Sequence, residues 1–399
     1  MNTPKRGKQP VSSKREGVLG RIGTRAFLAR HWQKRPLLIR QAIPDFSGVI
    51  DRRELFRLAG QASVESRLVQ RRRVRWSLAH GPQSAARLRL LPARDWTLLV
   101  QGVNLHSPEA DRLLRRFDFI PHARLDDLMV SYALPGGGVG PHVDSYDVFL
   151  LQSGGSRVWR IATPRKGQSD RLVEGAPLKL LRDFTPDEEY LLEPGDMLYL
   201  PPGWAHEGIA LEPGMTCSIG FRAPAHRELV AEFLQRHAEQ IDIPGLYSDP
   251  GLRQQHHPAQ LPPGLVMQTR SLLSRLRFTR ADVANFLGEY LSEPKANVVF
   301  DPPQRAMSRR RFADRVRDSG ARLDLKTLLL LDGQAAFING ERTTPAKPAL
   351  AALRTLADER ALGPGQRAAA LFELLYTWYV AGWLHPGQND ATGARGREK

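Results

Sequence analysis

The stretch from Pro135 to Trp159, PGGGVGPHVDSYDVFLLQSGGSRVW, constrains the fold more than any other part of the chain. A glycine-rich turn leads into a strand of alternating character, and a second tight turn at residues 153–156 leads into a returning strand. The later segment EPGDMLYLPPGWAHEGIA adds two tight reversals. Such reversals between short strands are what a double-sheet jelly roll requires. These segments therefore predict a β-rich domain of that type.

Three side chains in these segments have the types and spacing of metal ligands. His142 and Asp144 lie two residues apart, so on an extended strand both side chains project from one face, and His206 follows in the later segment. Two histidines and one carboxylate occupy one face of an octahedral metal and leave three positions open for an oxidant and a substrate. A His-x-Asp pair also arises by chance in a chain with 11 His and 42 acidic residues. The strand-like flanks and the nearby glycines, which leave space beside a metal, favour a metal site.

Arg157 is the candidate for binding an anion. It heads the returning strand with Trp159 and Ile161 at alternate positions, so its side chain is predicted to lie on the apolar face. A buried guanidinium requires an anionic partner, and a bidentate pair with a co-substrate carboxylate would provide one. For the arginine taken alone, a position at a sheet edge with the guanidinium in water is the stronger interpretation.

Five segments resemble the bacterial ribosomal oxygenases, which are JmjC-type Fe(II)- and 2-oxoglutarate-dependent oxygenases of the cupin superfamily. They are FLARHWQKRPLLIRQAIPDF, PGGGVGPHVDSYDVFLLQ, SRVWRI, LEPGDMLYLPPGWAHEG and SIGFRAP. The resemblance implies that His142, Asp144 and His206 hold iron and that Arg157 binds the distal carboxylate of 2-oxoglutarate. It also implies hydroxylation of an arginine of large-subunit ribosomal protein sixteen (uL16), whereas eukaryotic relatives hydroxylate histidines of other ribosomal proteins.

Hydroxyl groups on neighbouring strands are further candidates for the site. Ser218 lies on a predicted strand opposite the metal strands, where it is expected to hydrogen-bond the co-substrate, although a core hydroxyl satisfied by the backbone is an equally good interpretation. Ser131 and Tyr132, on the strand before the glycine-rich turn, are expected to face the site. Tyr132 is also typical of a core aromatic residue with a solvated end.

The predicted fold class is α+β: a double-stranded β-helix (a jelly roll of the JmjC and cupin type), a helical dimerisation region and a winged-helix-like C-terminal domain. Helical periodicity begins at His226 and is predicted to continue through LKTLLLLDGQAAFING. The homodimer and the winged helix are implied by the resemblance. The predicted segments are a disordered basic N-terminus (1–20), the catalytic jelly roll (21–225), the helical dimerisation region (226–300), the winged-helix-like domain (301–388) and a disordered tail (389–399).

Composition indicates the cellular compartment in which the protein is expected. The 41% hydrophobic content is enough for a proper core, and no apolar run of 18 residues occurs, so neither a transmembrane helix nor a membrane partner is expected. The single cysteine, Cys217, excludes an intrachain disulfide and fits a reducing compartment. The basic start lacks the apolar region of a secretory signal. We therefore expect a cytoplasmic protein.

The charge balance leaves nucleic-acid binding open. The chain has 58 Lys and Arg against 42 Asp and Glu, for a net charge of +16, which would attract RNA, DNA or ribosomes. The run RRRVRW at Arg71–Trp76 alternates basic and apolar residues in the manner of an edge strand with a solvated face. That interpretation is favoured over a nucleic-acid patch, because no RNA-binding signature accompanies the run.

Several functions remain possible beside arginine hydroxylation of uL16. One is hydroxylation of a histidine or another residue in a different ribosomal protein, and another is a demethylase-like use of the same iron chemistry. A third is a non-catalytic cupin that acts as a ribosome or nucleic-acid adaptor. A degenerate cupin would be expected to lack at least one of the triad residues or Arg157, and all four are present.

Overall fold

The structure is a computed structural model that describes residues 17–73, 75–164, 171–254 and 256–387. The chain divides into two compact units. Unit 1 comprises residues 1–223 and 295–300, and unit 2 comprises residues 224–294 and 301–399. Among the described residues, no helix has the length and apolar composition needed to cross a lipid bilayer.

Unit 1 is built on two antiparallel sheets. The strands, in chain order, are β1 (Leu37–Ile39), β2 (Ser66–Arg72), β3 (Arg75–His80), β4 (Trp96–Val100), β5 (Leu125–Ala133), β6 (His142–Val143), β7 (Tyr146–Gly154), β8 (Arg157–Ala162), β9 (Glu188–Leu192), β10 (Met197–Leu200), β11 (Ala205–Ala210) and β12 (Gly214–Arg222). Within the described residues, the larger sheet has the order β1-β10-β7-β12-β5-β4-β2-β3. The smaller sheet has the order β6-β11-β8-β9.

The larger sheet is covered on both faces because side chains alternate along each strand. On β7, Phe149 and Leu151 face the main hydrophobic core of the unit. Val148 and Leu150 face the opposite way and pack in a second core with Trp159 and other residues of the smaller sheet. The face of each sheet that is directed toward the other is called the inner face below. This arrangement is the predicted double-stranded β-helix.

The prediction that β8 returns along β7 is wrong. β7 pairs with β10 and β12, whereas β8 pairs with β11 and β9. The turn at residues 153–156 therefore carries the chain from one sheet to the other. In a jelly roll, consecutive strands commonly belong to different sheets, and a local turn signal does not distinguish this crossing from a hairpin.

Four helices of unit 1 are α1 (Gly23–Arg30), α2 (Arg52–Ala59), α3 (Ala85–Arg89) and α4 (Pro108–Leu114). The side chains of Asp51, Ser84 and Ser107 cap α2, α3 and α4 by accepting hydrogen bonds from first-turn backbone N–H groups. The main core includes apolar side chains of α1, α2 and α4 together with the larger sheet. Val18 and Leu19, which lie within the predicted disordered segment, are buried in this core.

The arginine-rich run at Arg71–Trp76 forms a hairpin rather than one strand. β2 ends at Arg72 and β3 begins at Arg75, and these two residues are opposite each other in the register. β3 is an edge strand of the larger sheet, as predicted for this run. The sequence lacks the glycine or asparagine that usually indicates a two-residue hairpin turn, so the reversal was not foreseen.

Unit 2 combines helices with two small sheets. Its helices are α5 (His226–Ala238), α6 (Pro263–Leu273), α7 (Arg280–Ser292), α8 (Arg309–Ser319), α9 (Lys347–Glu359) and α10 (Ala369–Val380). Its strands are β13 (Ala321–Leu323), β14 (Leu329–Asp332), β15 (Ala335–Ile338), β16 (Glu341–Thr343), β17 (Ala361–Leu362) and β18 (Leu384–Pro386). One sheet has the order β17-β13-β18 and the other has the order β14-β15-β16.

The predicted helix over LKTLLLLDGQAAFING is wrong. β14 and β15 form a hairpin there, with Asp332 paired to Ala335. Gly333 lies in the turn with a φ of +59°, a conformation that glycine adopts without steric cost. An Asp-Gly pair between apolar runs is a strong hairpin signal, and the apolar periodicity obscured it.

Candidate metal centre and buried arginine

His142, Asp144 and His206 lie together where β6 pairs with β11, with Asp144 directly after the end of β6. β6 pairs with β11 so that His142 lies directly opposite His206. One ligand atom from each of the three residues lies within 4.8 Å of the other two. Oδ2 of Asp144 is 3.6 Å from Nε2 of His142 and 3.7 Å from Nε2 of His206. The spacing predicted from the sequence therefore corresponds to one compact cluster.

Backbone carbonyl groups orient both imidazole rings. Nδ1 of His142 lies 2.9 Å from the carbonyl oxygen of Gly140, and Nδ1 of His206 lies 2.9 Å from that of Trp204. With Nδ1–H donating to these carbonyl groups, each ring presents Nε2 toward Asp144 as an available ligand atom. Gly140 has a φ of +74°, and a Cβ atom there would lie 2.7 Å from Leu180.

The electrostatics of the cluster suit metal binding. Burial lowers the pKa of His206 to about 4, and the charge of His142 acts in the same direction. Burial acts to raise the pKa of Asp144, but the hydrogen bond and charge of His142 and the charges of His206 and Arg67 lower it to about 2. Near neutral pH, His206 is therefore neutral and Asp144 ionised, which are the forms that bind metal ions. Burial acts to lower the pKa of His142, but the hydrogen bond and charge of Asp144 raise it, so a metal ion competes there with a proton.

Arg157 is buried, so the interpretation that places it at a solvated sheet edge is wrong. Its side chain is on the inner face of β8 with Trp159 and Ile161, and the residue is only 4% exposed. Nη1 donates to Oγ of Ser131 at 3.3 Å, whereas Nε and Nη2 are buried without a hydrogen-bond partner among the described residues. Burial lowers the pKa of Arg157 to about 10, and the guanidinium remains charged.

The unpartnered donors of Arg157 fit a ligand carboxylate. Buried guanidinium groups are rarely left without partners, and a carboxylate accepts two parallel N–H donors of arginine. Ile161 is opposite His206 in the register, so Arg157 and His206 face the same side of the smaller sheet. At about 3.3 Å per residue, the four-residue step from Arg157 to Ile161 separates their Cα atoms by about 13 Å.

The predicted hydroxyl residues fall on both sides of the larger sheet. Ser218 lies opposite Leu150 on one neighbouring strand and Met129 on the other, and its side chain is on the inner face. Ser131 is on the same face and contacts Arg157. Tyr132 points the opposite way into the main core, where its ring centroid is 5.6 Å from that of Trp96. The expectation that Tyr132 faces the site is therefore wrong, since adjacent strand residues point to opposite faces.

Sequence reasoning missed Arg67. This residue of β2 has its Nε buried without a hydrogen-bond partner, and its charge contributes to the lowered pKa of Asp144. Its Nη2 lies 4.0 Å from Sδ of Met129, which is on the inner face. Strand alternation places Arg67 and the core residue Leu68 on opposite faces of β2, which was the signal in the sequence for the position of Arg67. Nothing in the sequence distinguished Arg67 from the arginines that follow it.

A double-stranded β-helix with two histidines and one carboxylate around an open position defines the class of non-haem iron oxygenases with a facial triad. The side chain of Asp144 is 44% exposed, so the cluster is accessible. Beside it, the buried arginine is suited to a co-substrate carboxylate.

Comparison with known proteins identifies the family within this class. Residues 112–229 match the JmjC domain, and residues 275–385 match the ROXA-like winged helix. The chain is 38% identical over 334 residues to the ribosomal protein uL16 3-hydroxylase of Escherichia coli (strain K12), a match that covers 82% of this chain and 87% of that protein. The chain belongs to the ribosomal oxygenase family of JmjC-domain proteins. The resemblance inferred from the sequence and the predicted combination of a JmjC jelly roll with a winged helix are thereby confirmed.

Solved structures agree with this membership. The X-ray structure of E. coli ycfD has a TM-score of 0.80 and 33% identity, and the match covers 90% of this chain and 96% of that chain. A second structure is that of the ribosomal oxygenase YcfD from Escherichia coli in complex with cobalt and 2-oxoglutarate. It has a TM-score of 0.77 and 34% identity, with the same coverage of 90% and 96%.

Proposed function

We propose that this chain is an Fe(II)- and 2-oxoglutarate-dependent oxygenase that hydroxylates an arginine side chain of the large-subunit ribosomal protein uL16. The observation that carries the proposal is the buried guanidinium of Arg157, which has two unpartnered donors and faces the same side of its sheet as His206. The 3-hydroxylase relative supports uL16 as the substrate. The neighbouring structure with cobalt and 2-oxoglutarate supports the metal and the co-substrate.

The residues of the centre have separate roles in this proposal. His142 and His206 hold iron through their Nε2 atoms, and Asp144 holds it through its carboxylate. Arg157 binds the distal carboxylate of 2-oxoglutarate, and Ser218 donates a hydrogen bond to the co-substrate. When bound, the metal and co-substrate would supply the oxidising chemistry that inserts one oxygen atom of dioxygen into a C–H bond and the other into succinate, while 2-oxoglutarate loses carbon dioxide.

The protein around these residues orients the ligands and excludes water. The carbonyl groups of Gly140 and Trp204 fix the orientation of the two imidazole rings. The second core, which includes Leu150, Trp159 and Ile161, lies between the sheets and lowers the local dielectric constant. Burial in this low-dielectric environment strengthens the pairing of Arg157 with a carboxylate.

We assign residues 21–225 to the catalytic jelly roll, 226–300 to a helical dimerisation region and 301–388 to a winged-helix-like domain. A homodimer formed through 226–300 is supported by α5 and α6, neither of which contains a buried residue. Together they expose the large apolar side chains of Val230, Leu234, Val266, Met267, Leu272 and Leu273. Exposed apolar surface of this extent marks an interaction site. The cytoplasm is the proposed compartment, because ribosomal proteins are assembled there.

The test is conversion of 2-oxoglutarate to succinate by the purified protein with Fe(II) and dioxygen, with and without uL16. We expect succinate formation to depend on uL16 and to be lost in His142→Ala, because one of three metal ligands is removed. His226→Ala, which changes an exposed histidine of α5, is the matched control and should retain the activity. Full turnover by His142→Ala, or turnover indifferent to uL16, would contradict the proposal.

A further inference from the structure

The turn between β2 and β3 presents a cluster of arginines that the proposed reaction does not use. Arg71, Arg72, Arg73 and Arg75 are all exposed and form what is called the basic hairpin below. We propose that the basic hairpin binds the phosphate backbone of RNA, beside the candidate metal centre. This function is additional to the oxygenase activity, and RNA binding can be measured without iron or 2-oxoglutarate.

Three of the four arginines of the basic hairpin have no ion-pair partner within the described part of unit 1. Residues 66–80, SRLVQRRRVRWSLAH, contain no Asp or Glu. Arg72, Arg73 and Arg75 form no ion pair with any residue that the structure describes, and Arg72 lies directly opposite Arg75 across the two strands. Like charges in directly opposite positions destabilise a strand pair, so a bound polyanion would relieve this repulsion.

The backbone of the turn disfavours the residue that occupies it. Arg73 has a φ of +57°, in the left-handed region where glycine and asparagine are favoured in two-residue hairpin turns. An arginine in this conformation carries backbone strain that glycine or asparagine would avoid. At the tip of an edge hairpin, the function available to a guanidinium is contact with a partner.

Contacts at the base of the turn restrict the side chain of Arg71. The guanidinium of Arg71 lies over the ring of Trp76, 5.7 Å from its centroid, and Nε of Arg71 donates to the carbonyl oxygen of Arg73 at 3.1 Å. The guanidinium of Arg71 therefore loses less conformational entropy on binding than a freely rotating side chain would.

The same hairpin adjoins the candidate metal centre. A Cβ atom at Gly140 would lie 3.0 Å from the ring of Trp76, so the two residues are in close contact. Gly140 is the residue whose carbonyl group orients His142. An RNA strand on the basic hairpin would therefore lie beside the site of hydroxylation.

The chemistry favours RNA over an acidic protein. Guanidinium groups bind phosphate oxygens with paired N–H donors, and four of them within five positions match a backbone that repeats its charge at every nucleotide. The net charge of +16 attracts polyanions from a distance. A ribosomal protein substrate, which the proposed function requires, is itself an RNA-binding protein, so RNA and substrate would arrive together.

The experiment measures binding of the full-length protein to a fluorescently labelled single-stranded RNA of about 20 nucleotides by fluorescence anisotropy, without iron. The test variant is Arg72→Gln/Arg73→Gln/Arg75→Gln. Each lost phosphate contact reduces the slope of log affinity against log salt by about 0.7, so a decrease of about 2 is expected, with affinity reduced by at least about tenfold near 0.1 M salt.

A matched variant removes the same charge elsewhere. Arg21→Gln/Arg25→Gln/Arg30→Gln changes three exposed arginines at the start of unit 1 and should weaken binding far less. An equal loss in both variants would mean that net charge alone attracts RNA and would overturn the proposal. Polyglutamate of matched charge should fail to displace the RNA. Displacement as efficient as that by unlabelled RNA would assign the surface to an acidic protein instead.

The variant Arg73→Asn distinguishes a loss of RNA binding from a loss of folding stability. Asparagine suits the left-handed turn, so this variant should melt at the wild-type temperature or above it while binding RNA more weakly. Wild-type RNA affinity in Arg73→Asn would contradict a contact at the turn. Arg73→Asn and the triple arginine variant of the basic hairpin should both retain uL16-dependent succinate formation. That activity would verify that unit 1 is folded in each variant.

Discussion

At Arg157, two guanidinium donors are buried without a partner, a state that costs free energy unless a ligand supplies the acceptors. Arg157→Lys keeps the charge but loses the planar fork that pairs with both carboxylate oxygens. We predict that the KM for 2-oxoglutarate rises about ten- to a hundredfold with a smaller change in kcat, because ground-state binding of the co-substrate is weakened. Succinate formation measured over a range of 2-oxoglutarate concentrations gives both constants.

Arg160→Lys is the control for this substitution. Arg160 lies three residues further along the same strand, on its outward face, and its Nε pairs with Glu189 at 2.8 Å. Because an exposed ion pair contributes little, the KM should remain near the wild-type value. A similar increase of the KM in both variants would mean that any substitution in β8 weakens co-substrate binding. The assignment of Arg157 to the carboxylate of 2-oxoglutarate would then be contradicted.

Strand periodicity and residue type together predicted the candidate metal ligands and the inward-facing arginine from the sequence. The two-residue spacing of His142 and Asp144 and the alternation of Arg157 with Trp159 follow from the period of a strand. Arg67 and the contact of Ser131 with Arg157 depend on which strands become neighbours across the two sheets. Single-sequence periodicity contains no information on that pairing.

The glycine-rich turn before β6 is an element whose backbone passes very close to another strand. A Cβ atom at Gly138 would lie 2.3 Å from the carbonyl oxygen of Gly208 on β11, and neither backbone can move without disturbing the pairing of β11. Gly138→Ala is therefore predicted to destabilise the protein by about 1–3 kcal/mol, a typical cost of overpacking. Thermal unfolding followed by circular dichroism measures the change.

Gly154→Ala provides the comparison for this prediction. The nearest atom to a Cβ at Gly154 is the backbone nitrogen of Met215, at 3.8 Å, and the φ of Gly154 is not positive. The methyl group therefore has room, and the melting temperature should stay close to that of the wild type. If Gly138→Ala were as stable as Gly154→Ala, the close approach of the turn to β11 would be refuted.

Helix α6 is the element on which the proposed homodimer is most easily tested. Val266 and Leu273 lie seven residues apart on one helix face and are 53% and 64% exposed. Val266→Lys/Leu273→Lys places two charges on that face and is predicted to convert a dimer into a monomer. Light scattering coupled to gel filtration gives the mass.

Two other exposed leucines test whether added charge alone has this effect. Leu90 and Leu211 of unit 1 are 86% and 49% exposed, and Leu90→Lys/Leu211→Lys should leave the dimer intact. If the α6 variant is still a dimer, α6 is not part of the interface. If the wild-type protein is a monomer, the proposed homodimer is wrong.

At the element scale, local signals predicted most strands but not every connection. β10 and β11 fall in the segment EPGDMLYLPPGWAHEGIA, where tight reversals predicted short strands. The turn before β8 was interpreted as a hairpin because a jelly roll and a hairpin use the same turn residues. The short apolar run of the β14–β15 hairpin suits a helix as well as a strand. The Asp-Gly pair is the signal that distinguishes the hairpin from a helix.

For the whole molecule, the class of fold followed from motifs, whereas its topology did not. Turn signals and strand lengths indicated a jelly roll, and the resemblance added the winged helix that residues 275–385 match. The order of the strands in the two sheets depends on long-range packing of alternating faces. The segment at residues 295–300 belongs to unit 1 although its flanking residues belong to unit 2, and no pattern in the sequence indicated this crossing.

The fate of dioxygen in the presence of uL16 decides whether the chain is the proposed oxygenase. The decisive measurement is mass spectrometry of uL16 and succinate after incubation of the protein with Fe(II) and 2-oxoglutarate under oxygen-18 gas. We predict one oxygen-18 atom on a single arginine of uL16 and one in each succinate formed. Unmodified uL16, or an arginine oxygen derived from water, would contradict the proposed activity.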